Sequence, residues 1–222
     1  MHIKKPYIAD AIIGNRKMLA TLTHDGQIQR LWWPRMDVFQ QIAKWNFALS
    51  LKGHSNVLWL NDESEWDYTQ SYLDDSPIVI TQGQHKVLPI SWEFIDFILP
   101  DRDCLIRKIN IKNKSSQPLE MKLWQYSNFH IDERNRYNTV EYSKDSDAIF
   151  HYRSSTVIGI FSNRSVTAVQ CGGNVKYDIE NLSLNGNVQE MESRGALMWD
   201  LGPIAGNDHI CTDIYLLAET SI

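Results

Sequence analysis

Two groups of carboxylates stand close enough along the chain to do acid–base work: Glu63, Glu65 and Asp67, and Asp101 with Asp103. A typical inverting glycosidase needs two carboxyls about 6.5–9.5 Å apart, one raised in pKa as the acid and one activating water. Both groups lie in polar, loop-like runs, and nothing in either marks a carboxyl buried enough to shift its pKa. No catalytic residue is assigned from them. His130, Asp132 and Glu133 are ligand types that suit a metal, but a polar strand end with solvated carboxylates is the plainer reading, and no metal or other cofactor is expected. The seven histidines lack H-x-x-x-H spacing. Glycine-rich phosphate loops and the G-x-S-x-G elbow are absent as well, so nucleotide binding and serine-hydrolase chemistry have no support.

Tryptophan is the unusual residue, with eight in 222. Indole faces stack on sugar rings, which makes Trp32, Trp33, Trp45, Trp59, Trp66 and Trp92 conceivable platforms; large sandwich cores also consume aromatics. Trp92 and Trp124 sit in alternating runs and are expected in the core. Adjacent residues on a strand face opposite ways, so one of Trp32 and Trp33 must meet something beyond its own sheet face: a second sheet, a partner domain or a ligand. In Trp33-Pro34-Arg35, Pro34 fixes the backbone and Arg35 can reach carboxylates or sugar hydroxyls. The competing reading is a buried Trp-Pro corner with Arg35 in an internal ion pair.

The elements that must position these residues alternate with period two. Lys17–Thr23 and Gln27–Trp33 flank Asp25-Gly26, a pair that accepts positive φ at a tight hairpin turn. Met18, Ala20 and Leu22 share a face in the first arm. In the second, Ile28 and Trp32 share one face, and Leu31 and Trp33 the other. Over Asp37–Lys44, Val38, Ile42 and Trp45 recur at helical spacing, with Asp37 as a cap and Gln40 three residues on, which predicts one short helix or turn. Strands are expected over Phe47–Leu51, Val57–Leu60, Trp66–Tyr72, Ile78–Gln82 and Ile90–Phe94. Leu105–Ile111 and Leu119–Leu123, joined by the loop Asn113–Pro118, read as an antiparallel hairpin. Further strands follow at Ala148–Tyr152, Ser155–Ser162, Val166–Gln170, Gly195–Leu201 and His209–Ala218, and the polar run Asn181–Glu192 reads as a surface loop. A dozen strands with hardly any helix predict an all-β fold, a large antiparallel sandwich formed as one domain over residues 1–222.

A chain of this length can bury roughly 70% of its unfolded surface without disulfide or metal. The net charge of −5 and the lack of a basic cluster exclude a nucleic-acid partner. No run approaches the ~20 apolar residues of a membrane helix, and Met1–Asp10 has no apolar stretch behind Lys4 and Lys5, so it does not read as a signal peptide. Three cysteines, Cys104, Cys171 and Cys211, form no paired spacing, and with no signal peptide a cytoplasmic location is expected. The sequons at Asn113, Asn163 and Asn181 read as chance matches.

Ile13-Gly14-Asn15-Arg16-Lys17-Met18-Leu19-Ala20-Thr21-Leu22, Asp25-Gly26 and Leu31-Trp32-Trp33-Pro34-Arg35 together resemble the opening of bacterial and archaeal glucoamylases of glycoside hydrolase family 15. The resemblance extends through Leu105–Asn113, through Asn128-Phe129-His130-Ile131, similar to that family's D-F-H-I, and through Ala148-Ile149-Phe150-His151-Tyr152-Arg153. It covers the first two thirds by motif and the rest by strand pattern. It implies an N-terminal supersandwich, galactose mutarotase-like in shape, followed by a catalytic (α/α)6 barrel that holds both catalytic glutamates and releases glucose from α-glucan ends with inversion. The barrel would begin beyond Ile222, so no catalytic residue is carried onto this chain. Asn128 stands where the family has an acidic residue, so the family's acidic role is not carried over to it, and Asn128 and His130 are kept as weak site candidates. The expected function is a non-catalytic domain that buttresses the barrel, with Trp32, Trp33, Pro34 and Arg35 facing the barrel or a sugar. An uncovered barrel-facing surface would also favour a dimer. The rivals are a stand-alone carbohydrate-binding sandwich using exposed tryptophans, with an α-glucan oligosaccharide as partner, and a mutarotase-like epimerase with a converging histidine and carboxylate.

Overall fold

The Asp25-Gly26 turn organises the first sheet. In the computed structural model, which describes residues 9–220, β1 (Ala11–Gly14), β2 (Leu19–Leu22) and β3 (Ile28–Trp32) form an antiparallel three-stranded sheet. Gly26 takes φ +76°, and the Asp25 carboxylate accepts hydrogen bonds from Thr23 and Gln27. A register shift between Thr21 and Leu22 lets Gln29 bulge, and the bulge reverses the expected alternation beyond it. Ile28, Leu31 and Trp33 are therefore buried together, while Trp32 is half-buried. Trp32 does not share the face of Ile28 as the sequence predicts.

Of the short helix or turn predicted over Asp37–Lys44, the turn is present at Met36-Asp37, where the Arg35 carbonyl accepts the N–H of Val38 at 3.5 Å, and no helix follows. Gln40 uses its side-chain carbonyl to accept the backbone N–H of Ile42 at 3.1 Å, and a strand, β4 (Ile42–Leu51), starts there instead. The strand expected over Phe47–Leu51 is the second half of β4, with both faces covered, and the helical spacing of Val38, Ile42 and Trp45 misleads because Val38 lies in the loop before the strand while Ile42 and Trp45 lie in it. β5 (Leu58–Trp59), β10 (Leu119–Phe129), β14 (Ala168–Cys171) and β16 (Arg194–Ile204) complete a five-stranded sheet in the order β14-β16-β10-β4-β5.

The largest sheet holds nine strands in the order β15-β11-β12-β13-β17-β9-β8-β7-β6. They are β6 (Trp66–Tyr72), β7 (Val79–His85), β8 (Ile90–Ile98), β9 (Cys104–Asn113), β11 (Thr139–Ser143), β12 (Ala148–Arg153), β13 (Thr156–Ser162), β15 (Gln189–Glu190) and β17 (His209–Thr220). The expected β9–β10 hairpin is absent, because the two strands belong to different sheets. Asn113 carries the chain across: its amide donates to the carbonyls of Gln117 (2.7 Å), Ile204 (3.0 Å) and Ala205 (3.1 Å). Its burial also removes it as a glycan acceptor. The single α-helix among the described residues, α1 (Val175–Glu180), lies elsewhere than predicted, and β15 interrupts the expected 181–192 loop. The reading of Met1–Asp10 falls, for residues 1–8, outside the described residues.

The large and small sheets meet across one continuous apolar core. Trp45, Phe47 and Leu49 of β4 meet Trp92 and Phe94 of β8, with the Phe47 and Phe94 rings 5.8 Å apart. α1 packs Val175 and Ile179 against Trp124, Tyr126 and Met198 on the far side of the small sheet. An ion pair lies inside the fold. Arg107 makes a two-point contact with Asp96 (2.7 and 2.8 Å), donates to the carbonyl of Gly26 (2.5 Å), and lies 4.2 Å from the Phe94 ring centroid. Both side chains are almost fully buried, so this arginine locks the hairpin turn onto the large sheet.

Candidate functional surface at one end of the sandwich

Most of the residues singled out from the sequence converge on one end of the fold. Asn15 closes the β1–β2 turn by accepting the N–H groups of Lys17 and Met18, and its amide donates to the carbonyls of Leu99 (2.8 Å) and Arg102 (3.0 Å) in the β8–β9 turn. Trp33 is buried and donates from Nε1 to Asp103 Oδ2 at 2.9 Å. Pro34 and Arg35 are exposed, and Arg35 faces the equally exposed Asp37 at 3.2 Å. The segment is thus a buried tryptophan corner, but its arginine points outward rather than into an internal ion pair.

A second loop lies beside the first. Gln41 donates to the Trp33 carbonyl (3.0 Å) and accepts the N–H of Asp132 (2.8 Å), and the Gln40 carbonyl accepts the N–H of Glu133 (3.2 Å). Asp132, Glu133 and Tyr137 all hold φ near +60°, a conformation costly for residues with a Cβ and kept only where surroundings enforce it. Asp132 reaches Arg153 at 3.4 Å, and Phe129 lies against His151 with centroids 4.8 Å apart. The segments Asn128–Ile131 and Ala148–Arg153, which carry two parts of the family resemblance, therefore pack on each other. The two loops expose Met36, Phe39 and Tyr137 among the basic Arg35, Arg134 and Arg136. Sequence reading missed Gln41 and took Asp103 only as a candidate carboxylate rather than as the partner of Trp33, because a polar side chain that ties a distant loop has no local signature.

Asn128 sits on β10 between Lys44 and Arg194 of the neighbouring strands, its Oδ1 buried without a partner. His130 is half-buried and leads into the second loop. Among the described residues no group of three His, Cys, Asp or Glu side chains could hold a metal ion. The carboxylate candidates serve locally: Asp103 holds Trp33, Glu63 faces His24 at 3.3 Å, and Glu65 faces His85 at 3.3 Å. His85 accepts the N–H groups of Val87 and Leu88 on Nδ1, so it braces the β7–β8 turn, and burial lowers its pKa. Six tryptophans are buried, and Trp32 and Trp59 are half-buried.

Next to this end, the outer face of the large sheet is apolar. Phe97, Ile106, Tyr215 and Phe161 stand opposite one another across four strands, with the Phe161 and Tyr215 rings stacked at 4.9 Å. The adjoining row runs Cys104, Leu217, Gly159, Phe150. An open groove of about 270 Å³ follows Phe150, Val157, Phe161 and Leu217. A sheet with both faces apolar is the pattern of a covered sheet rather than a one-sided one.

Over 96% of its length the chain superposes on 32% of a bacterial glucoamylase solved with acarbose, at a TM-score of 0.79 and 16% identity. The chain has the glucoamylase-type supersandwich fold. The same supersandwich is found in a galactose 1-epimerase from Lactobacillus acidophilus (TM-score 0.56, 6% identity, 93% of this chain and 92% of that one). In sequence it is 30% identical over 220 residues to an uncharacterized glycosyl hydrolase of Methanocaldococcus jannaschii. That match takes in 94% of the chain but 34% of the relative, so the supersandwich spans about a third of the length of the curated relative it matches. No family model matches.

Proposed function

We propose that this supersandwich is the non-catalytic domain of a glucoamylase-like, inverting glycoside hydrolase acting on α-glucans or malto-oligosaccharides. It packs against an (α/α)6 barrel of the same polypeptide, and the barrel supplies the catalytic carboxylates. The observation that carries the reading is the apolar outer face beside the two loops, since a surface of this kind marks an interaction site. The one-third coverage of both the glucoamylase and the glycosyl hydrolase supports it. In this reading the barrel covers the Phe161–Leu217 face, and Trp33, rigid in its corner, presents Arg35 to the rim of the barrel's pocket.

The test is kinetic, on the enzyme that joins this domain to its barrel. Arg35→Ala should lower kcat/KM on maltopentaose by about tenfold, the effect of one lost charged hydrogen bond, with the melting temperature unchanged. Kinetics equal to the parent's would remove Arg35 from the pocket rim.

A further inference from the structure

The outer face of the large sheet changes character along its strands. At the end away from Trp33 it becomes a polar trough of about 470 Å³, formed where β6, β7, β8 and β9 lie side by side. Alternate residues point into it: Asp67 and Thr69 from β6, Gln82 and Gln84 from β7, Ser91 and Glu93 from β8, Asn110 and Lys112 from β9. We infer that this trough binds a neutral oligosaccharide of α-linked glucose, an inference that takes its sugar class from the proposed function above.

The chemistry of the lining favours an uncharged polyol. Three planar amides, two carboxylates and two hydroxyls provide both donors and acceptors in fixed positions, the arrangement that pairs with vicinal sugar hydroxyls. Gln82 donates to Glu93 at 2.7 Å and Thr69 lies 3.5 Å from Gln82, so these side chains are already ordered before a ligand arrives and lose little freedom on binding. Gln84 is held by the carbonyls of His85 (3.1 Å) and Ile90 (3.2 Å) and by Lys114. Two carboxylates, Asp67 and Glu93, offset two ammonium groups, Lys112 and Lys114, so the trough does not select a phosphorylated or polyanionic chain. The two loops and the apolar rows lie toward the other end of the same sheet, which leaves the trough open when the barrel is docked.

Calorimetric titration of the 222-residue chain with maltopentaose tests the inference. Saturable binding with a Kd of about 1 mM or tighter is expected, and it should be insensitive to salt between about 0.05 and 0.5 M because the ligand carries no charge. The double variant Gln82→Ala, Glu93→Ala should weaken it at least about tenfold with an unchanged melting temperature, while Lys144→Ala, exposed in the turn after β11 and outside the trough, should bind as the parent does. No saturable heat, affinity that falls steeply with salt, or full affinity in the double variant would each overturn the inference. None of these outcomes bears on barrel docking, which is read from kinetics of the joined enzyme.

Discussion

Trp33 and His151 show how single side chains at this end are held. The Trp33 indole ties the first loop to Asp103, so Trp33→Phe keeps an aromatic ring in the corner and removes one hydrogen bond. A loss of about 1–2 kcal/mol in unfolding free energy is expected, read by denaturant titration, and an unchanged midpoint would mean the bond is not formed. His151 is fully buried beside Phe129, 2.8 Å from Ser127 Oγ, and burial pushes its pKa down to about 3. The unfolded chain takes up this proton near pH 6.5. Between those values the unfolded state binds more protons than the folded one, so the neutral ring's contribution is whole above about pH 6.5 and shrinks as pH falls toward 3. His151→Gln should flatten the dependence of stability on pH between about 6 and 4; a slope equal to the parent's would contradict this. Arg35, Trp33 and the Asn15 motif could be picked out from residue order, since each sits in a short run with turn or corner chemistry. Their partners could not. Asp103 and Gln41 are 70 and 8 residues from Trp33, and only the folded topology pairs them.

At the level of elements, alternation identified most strands because one face of each is buried in a shared core. The Asp25-Gly26 hairpin was legible for a local reason, the positive φ at Gly26. Alternation found the Phe47–Leu51 half of β4 but not its start, because the helical spacing of Val38, Ile42 and Trp45 arises by coincidence across the boundary between a loop and the strand. Partnership between strands was less legible still. β9 and β10 are consecutive and joined by a short turn-like run, yet Asn113 anchors that run to Ile204 and Ala205 and sends the strands to separate sheets. Asn113→Ala would leave those carbonyls without their donor and should cost about 2–3 kcal/mol; a thermal midpoint equal to the parent's would show that the crossover holds without it. The Arg107–Asp96 pair locks the hairpin to the large sheet in the same manner. Removing only the acid, by Asp96→Ala, leaves a buried guanidinium uncompensated, and a loss of about 3–5 kcal/mol is expected. A loss under about 1 kcal/mol would mean that the arginine finds water instead.

On the scale of the whole molecule, the supersandwich divides its outer sheet face into an apolar half next to two interlocked loops and a polar half beyond. The architecture followed from strand count, length and the scarcity of helix, and the Ile-Gly-Asn and Trp-Pro-Arg runs pointed to the glucoamylase type. The apolar rows were hidden, because Phe97, Ile106, Phe161 and Leu217 read as ordinary strand residues until register placed them opposite one another. Those rows are the proposed seat of the barrel. Hydrogen–deuterium exchange, compared between the 222-residue chain alone and the same chain joined to its barrel, tests that seat most directly. A barrel docked there predicts slower exchange in the joined enzyme over Thr156–Ser162, His209–Thr220 and the 33–39 loop, with the trough strands β6 and β7 unchanged. Equal exchange over β13 and β17 in the two forms would contradict it.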